Sequence, residues 1–144
     1  RINKRKINKK NLKIKKIKIG DSKLPFKDDS FEYIVAMSVL SLLGSEKAIK
    51  SLLKEFKRVL KPNGKIIIDI NDQNSEFSNG FQEIYPNTFK VIQKGKKPFN
   101  AYCLKNASDF KKLIKNYFKI DDVGFSAHSI FKRRINEWII SATN

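Results

Sequence analysis

The hydrophobic pattern divides the chain into segments of two periods. Ile14–Ile19 (IKKIKI) predicts a short strand that stops at Gly20-Asp21. Leu24-Pro25-Phe26 and the acidic turn Lys27-Asp28-Asp29-Ser30 follow. From Phe31 the run FEYIVAMSVL is almost wholly apolar after Glu32, as in a strand covered on both faces within a parallel sheet. Beyond Gly44, apolar residues recur at Ala48, Ile49, Leu52, Leu53, Phe56, Val59 and Leu60. That spacing predicts a one-faced helix, with Ser45 as its N-cap and Lys57, Arg58 and Lys61 at its end. Pro62-Asn63-Gly64 stops the helix, and KIIIDI (residues 65–70) reads as a second buried strand. Strand, helix and strand in this order predict a βαβ crossover.

The second half is less regular. Asn71–Gly80 is polar. Residues 81–105 are too apolar for a simple loop and fit short strands, a lid or a small helix. Ser108 is the expected cap of a second helix, with Phe110, Leu113, Ile114, Tyr117 and Phe118 on one face. Lys119–His128 and Ile135–Thr143 read as a closing antiparallel pair. The expected architecture is α/β and Rossmann-like. It has a mostly parallel sheet with helices on both faces and a C-terminal antiparallel hairpin.

Composition narrows the class. The chain has 144 residues, 31 Lys+Arg against 14 Asp+Glu, a formal charge of +17 and 11 Phe. This is one domain with a real core, unlike an aromatic-poor disordered tail. The single cysteine, Cys103, excludes an internal disulfide framework and a Cys-based zinc site. No apolar run is long enough to span a bilayer, and no secretory signal pattern is present. A soluble, cytoplasmic protein is the expectation. Residues 1–18 carry ten Lys+Arg and no acid. Lys4, Arg5, Lys6, Lys9 and Lys10 within them are candidate contacts to nucleic acid through phosphate neutralisation. The competing reading is a solvated basic face. Lys far outnumbers Arg, of which there are five, and bidentate readers favour Arg.

Two linked motifs carry a family resemblance. The first is Ile19-Gly20-Asp21, Leu24-Pro25-Phe26, Asp28 and Ser30-Phe31-Glu32-Tyr33-Ile34-Val35. The second runs Glu55-Phe56-Lys57-Arg58-Val59-Leu60-Lys61-Pro62-Asn63-Gly64-Lys65-Ile66. With one strand and one helix between them, they resemble the class I S-adenosylmethionine-dependent methyltransferases. The final "VGF" and "EWIISATN" segments fit the same order. The resemblance implies methyl transfer with S-adenosyl-L-methionine as cofactor and an unidentified acceptor. Gly20, Asp21 and Ser22 would lie at the adenine: the Asp21 carboxylate would accept from the amino group, and the Ser22 amide would contact the ring. The backbone of Ala36, Met37 and Ser38 would face the methionine part. Leu24, Pro25 and Phe26 would form an apolar wall, and residues 71–105 a candidate substrate cover.

The sequence also departs from the family. It contains no G-x-G-x-G, and its six glycines are isolated. In the family that loop lets the backbone approach the cofactor. The chain therefore reads as the C-terminal portion of a methyltransferase domain, with an incomplete cofactor site over residues 1–144. Two alternatives stand beside methyl transfer. One is a nucleic-acid-binding module using the basic N-terminal stretch. The other is an inactive half that docks on a partner or oligomerises through its unpaired sheet edge.

The remaining chemistry-bearing residues have plain readings. Asp69 and Asp72 read as surface polar groups at a strand end. His128 lies late in the expected edge hairpin, away from the site edge, Cys103 reads as packing, and Trp138 as core. Tyr85, Phe89, Phe99 and Tyr102 fit either stacking on a flat substrate or a hydrophobic patch beneath a loop.

Overall fold

The computed structural model describes residues 14–17, 23–130 and 133–144. Four strands form the main sheet: β1 (Phe31–Ala36), β2 (Leu60–Asn71), β6 (Lys119–Ile130) and β7 (Arg133–Thr143). Their spatial order is β1-β2-β7-β6. β1 and β2 are parallel, whereas β7 is antiparallel to both β2 and β6. Helices α1 (Glu46–Val59) and α2 (Ala107–Ile114) pack on this sheet.

Helix α1 forms where its apolar spacing predicts. The Ser45 side chain accepts from the Ala48 N–H at 3.3 Å, and Glu46 sits in the first turn. The helix ends when Leu60 turns extended, and β2 begins there rather than at Lys65. The extra residues form an irregularity: Phe31 pairs with Leu60, but Tyr33 pairs with Lys65. Asn63 takes the left-handed conformation at φ 61° within it. The C-terminal Asn144 closes the bulge, donating its N–H to Gly64 O at 2.9 Å and its amide Nδ2 to Leu60 O at 2.9 Å.

From Lys65 to Ile70 of β2, successive side chains point to opposite faces of the sheet. Ile66, Ile68 and Ile70 of β2, with Ala36, Ile140 and Ala142, are buried with Ile49, Leu53 and Phe56 of α1 and Phe110, Leu113 and Ile114 of α2. Each fully buried aliphatic chain there contributes about 1.5–3 kcal/mol relative to exposure. Both helices thus cover one face. The opposite face carries Tyr33 and Val35, exposed by 69% and 67%, beside Ile67. The Rossmann-like class holds. Among the described residues, however, the helix layer is one-sided and only the β1–β2 pair is parallel.

Other expectations need correcting locally. Residues 14–17 belong to no regular element, and the rest of the IKKIKI segment lies outside the described residues. The strand that starts at Phe31 stops at Ala36 and gives way to a 3-10 turn at Ser41–Leu43. Asn106, not Ser108, caps α2, accepting from the Asp109 N–H at 3.0 Å.

Residues 71–105 build a second sheet from β3 (Gln82–Tyr85), β4 (Thr88–Val91) and β5 (Phe99–Tyr102), in that order. Phe89, Val91, Ala101 and Cys103 are buried in it, flanked by Phe77, Phe81 and Phe99. The chain leaves β2 at its C-terminal end and returns there, where Leu104 N donates to Asn71 O at 2.9 Å. The small sheet docks on the 3-10 turn through Gly44, at φ 68°, where an added Cβ would lie 2.8 Å from Asn100 O.

Candidate functional site

In open α/β sheets ligands bind beyond the C-terminal ends of parallel strands. Here that rim is made by the residues after Ala36 and the last residues of β2. In register, Ala36 pairs with Ile68. Asp69 therefore follows at the level where the chain leaves β1 through Met37 and Ser38. Ser38 adopts the left-handed conformation at φ 57° without being glycine. Its N–H donates to Asp69 Oδ1 at 2.7 Å. Met37 is 41% exposed beside it.

The rim is stiffened by polar groups that the helix-covered core lacks. Ser41 Oγ accepts from the Asn71 N–H at 2.8 Å, and Asn71 Nδ2 donates to Ser75 Oγ at 2.8 Å. Asp72 N donates to Asn136 O at 2.8 Å, which ties the end of β2 to β7. The Asp72 carboxylate accepts from the backbone and side chain of Asn74, at 2.7 and 2.8 Å, and so shapes a turn.

Asp69 stands apart from these groups. Its side chain is buried, and Oδ2 has no partner among the described residues. Burial pushes its carboxyl up to about 6, the Ser38 N–H pulls it down, and Glu137 on β7 pushes it up again. Glu137 is itself only 8% exposed. Asn71 pairs with Glu137 and Asp69 with Ile139, so the two acids lie diagonally on the face that carries no helix. The reading of Asp69 and Asp72 as surface groups fails: both are buried. Sequence reasoning also missed Glu137. Its signal was the polar pair Asn136-Glu137 at the start of an otherwise apolar strand.

The two motifs that carried the resemblance are joined by one cluster. Arg58 Nη1 donates to Phe26 O at 2.9 Å and to Asp28 Oδ1 at 2.6 Å, and Nη2 donates to Leu24 O at 3.1 Å. Glu55 completes the clamp by accepting from Leu24 N at 2.7 Å and from Arg58 Nη2 at 2.7 Å. Both side chains are mostly buried in this contact. Their spacing places them one turn apart on α1, facing the loop before β1. The geometry makes Leu24-Pro25-Phe26 a packed turn whose backbone carbonyls are held by a guanidinium.

Gly20, Asp21 and Ser22 lie outside the described residues, as do Lys4, Arg5, Lys6, Lys9 and Lys10. His128 is exposed on the long β6–β7 hairpin, with Nδ1 3.3 Å from Ser126 Oγ. Cys103 is fully buried, and burial pushes its thiol up to about 12, which keeps it protonated and unreactive. Of the candidate cover aromatics, Phe89 and Tyr102 are buried, Phe99 flanks the small core, and Tyr85 is exposed. Tyr102 Oη donates to Glu46 Oε2 at 3.2 Å. Among the described residues no cluster of three metal-ligating side chains occurs, and no helix is long and apolar enough to cross a membrane.

Comparison with known proteins fits this geometry. Residues 1–68 match the family model described as a methyltransferase domain. The uncharacterized protein MJ1123 of Methanocaldococcus jannaschii is 40% identical over 60 residues, covering 42% of this chain and 28% of that protein. MJ0638 of the same organism is 35% identical over 83 residues, covering 58% of this chain and 33% of that protein. The chain thus spans well under half the length of these curated relatives. A SAM-dependent methyltransferase structure from Methanosarcina mazei superposes with a TM-score of 0.71 at 22% identity, covering 85% of this chain and 63% of that one.

Proposed function

We propose, from the match of residues 1–68 to the methyltransferase-domain family model and the fold shared with a SAM-dependent methyltransferase structure, that this protein takes part in methyl transfer from S-adenosyl-L-methionine. The acceptor is unidentified. The observation that carries the reading is the rim at the end of β1, where the left-handed Ser38 turn is pinned to Asp69 beside exposed Met37.

The cofactor supplies a sulfonium whose methyl carbon is electrophilic. The protein's part is then chiefly alignment, which contributes roughly 7–11 kcal/mol in well-oriented systems. That chemistry fits a rim rich in backbone polar groups and poor in nucleophiles. Ala36, Met37 and Ser38 would form one wall of the pocket through their backbone. Gly20, Asp21 and Ser22 would hold the adenosine side. The chain has no glycine-rich first loop, so these residues build part of a cofactor site. The sheet of residues 82–102 follows the end of β2 in the chain and would cover an acceptor on the same rim.

The test is calorimetric titration of S-adenosylhomocysteine into the full-length protein. Saturable one-to-one binding, weakened by Ser38→Pro, supports the reading. Absence of binding by the folded protein contradicts it. Ser38→Pro removes the N–H and forbids the positive φ.

A further inference from the structure

We propose that Asp69 is a positioning residue for this rim: through Oδ1 it holds the Ser38 N–H and fixes the left-handed turn that sets where the backbone after β1 points. The proposal deepens the methyltransferase reading and rests on it for what the rim is for, but not for how the rim is held.

Three observations converge. The first is strain. A non-glycine residue at φ 57° is held by its surroundings, because the left-handed region is disfavoured for side chains with a Cβ. The second is placement. The parallel register that pairs Ala36 with Ile68 brings Asp69 beside the turn, and the 2.7 Å contact is the side-chain hydrogen bond to that backbone among the described residues. A carboxylate acceptor makes such a bond roughly twice as strong as a neutral one. The third is cost. Asp69 is 2% exposed, forms no ion pair with Lys or Arg among the described residues, and leaves Oδ2 without a partner. A carboxyl so placed is expensive to bury, and apolar residues fill the strand positions on either side of it. A merely structural strand position would be served by Val or Ile. What Asp69 adds is its grip on Ser38.

Glu137 modulates this grip. It is the charged group from the neighbouring strand that acts on Asp69, and the acid nearest in sequence, Asp72 just after β2, is turned into its own Asn74 contacts. With both acids ionised the pair repels. Protonation of Asp69 relieves the repulsion.

The experiment follows the Ser38 backbone amide by NMR in the full-length protein, with the strand-interior amides of Ile68 and Ile140 as references. In Asp69→Ala the Ser38 amide should exchange with solvent about tenfold faster or more, while the references stay unchanged. Asp69→Asn keeps an acceptor in place and should restore most of the protection. The wild-type Ser38 amide shift should also titrate with the Asp69 carboxyl, and this titration should vanish in Asp69→Asn and move to lower pH in Glu137→Gln. If Asp69→Ala fails to fold, the Asn and Gln titrations decide the matter. A Ser38 amide that ignores both the substitution and the titration overturns the proposal. So does a loss of protection spread evenly over β1 and β2. Wild-type binding of S-adenosylhomocysteine is measured alongside. Loss of that binding alone would remove the methyltransferase reading and leave the Ser38 result standing.

Discussion

The two faces of the main sheet differ in what fills them. The covered face is uniform: Ile66, Ile68, Ile70, Ile140 and Ala142 lie under α1 and α2. The bare face mixes exposed apolar groups, Tyr33, Val35 and Ile67, with two buried acids, Asp69 and Glu137. Alternation along one strand creates the contrast, since Ile68 and Asp69 are neighbours in sequence and opposites in role. A core needs only volume and apolarity, whereas a rim that binds a ligand needs polar groups held still. The comparison teaches that this chain's stability and its candidate chemistry sit on opposite sides of the same sheet.

The largest expected effect is on the covered face. Phe110 is fully buried in the main core, so Phe110→Ala should cost about 3–5 kcal/mol in a denaturant titration. A cost near zero would mean that α2 does not close that face. The next effect is the pH response of the bare face. The Asp69 carboxyl rises from its usual 3.8 to about 6 on folding. The folded state then holds this proton more tightly than the unfolded state. The resulting stability is complete below the usual value and is lost as pH rises through about 6, by an amount on the order of 3 kcal/mol. Asp69→Asn should flatten the stability curve across that window, and an unchanged curve would place the proton elsewhere. The smallest effect is at Val35, which is 67% exposed. Val35→Ser should change the stability of these 144 residues by about 0.5 kcal/mol or less. A large loss would show that something covers this face.

These contrasts explain what could be read in advance. Residues 46–59 announced α1 because a helix against a sheet shows its buried stripe at every turn, and Ser45 announced its start. The closing strands of the sheet were equally legible from their apolar alternation. Residues 71–105 were not, because their strands are four residues long and too short for periodicity to separate from loop. Family resemblance pointed to Ala36, Met37 and Ser38, which the structure places at and just after the end of β1. It found Glu55 and Arg58 too, but not their task of gripping the Leu24–Asp28 loop. Asp69 looked like a surface acid because sequence shows where a strand ends but not which groups meet there: the Ser38 N–H and Glu137. Its partner in space, Glu137, lies 68 positions away, and only the antiparallel register of β7 brings the two together.

The most direct test of the account is peptide-resolved hydrogen exchange of the full-length protein with and without S-adenosylhomocysteine. The account predicts that added ligand slows exchange at Met37–Ser38 and leaves α1 and α2 unchanged. Protection confined to the helix layer, or none at the end of β1, would contradict it.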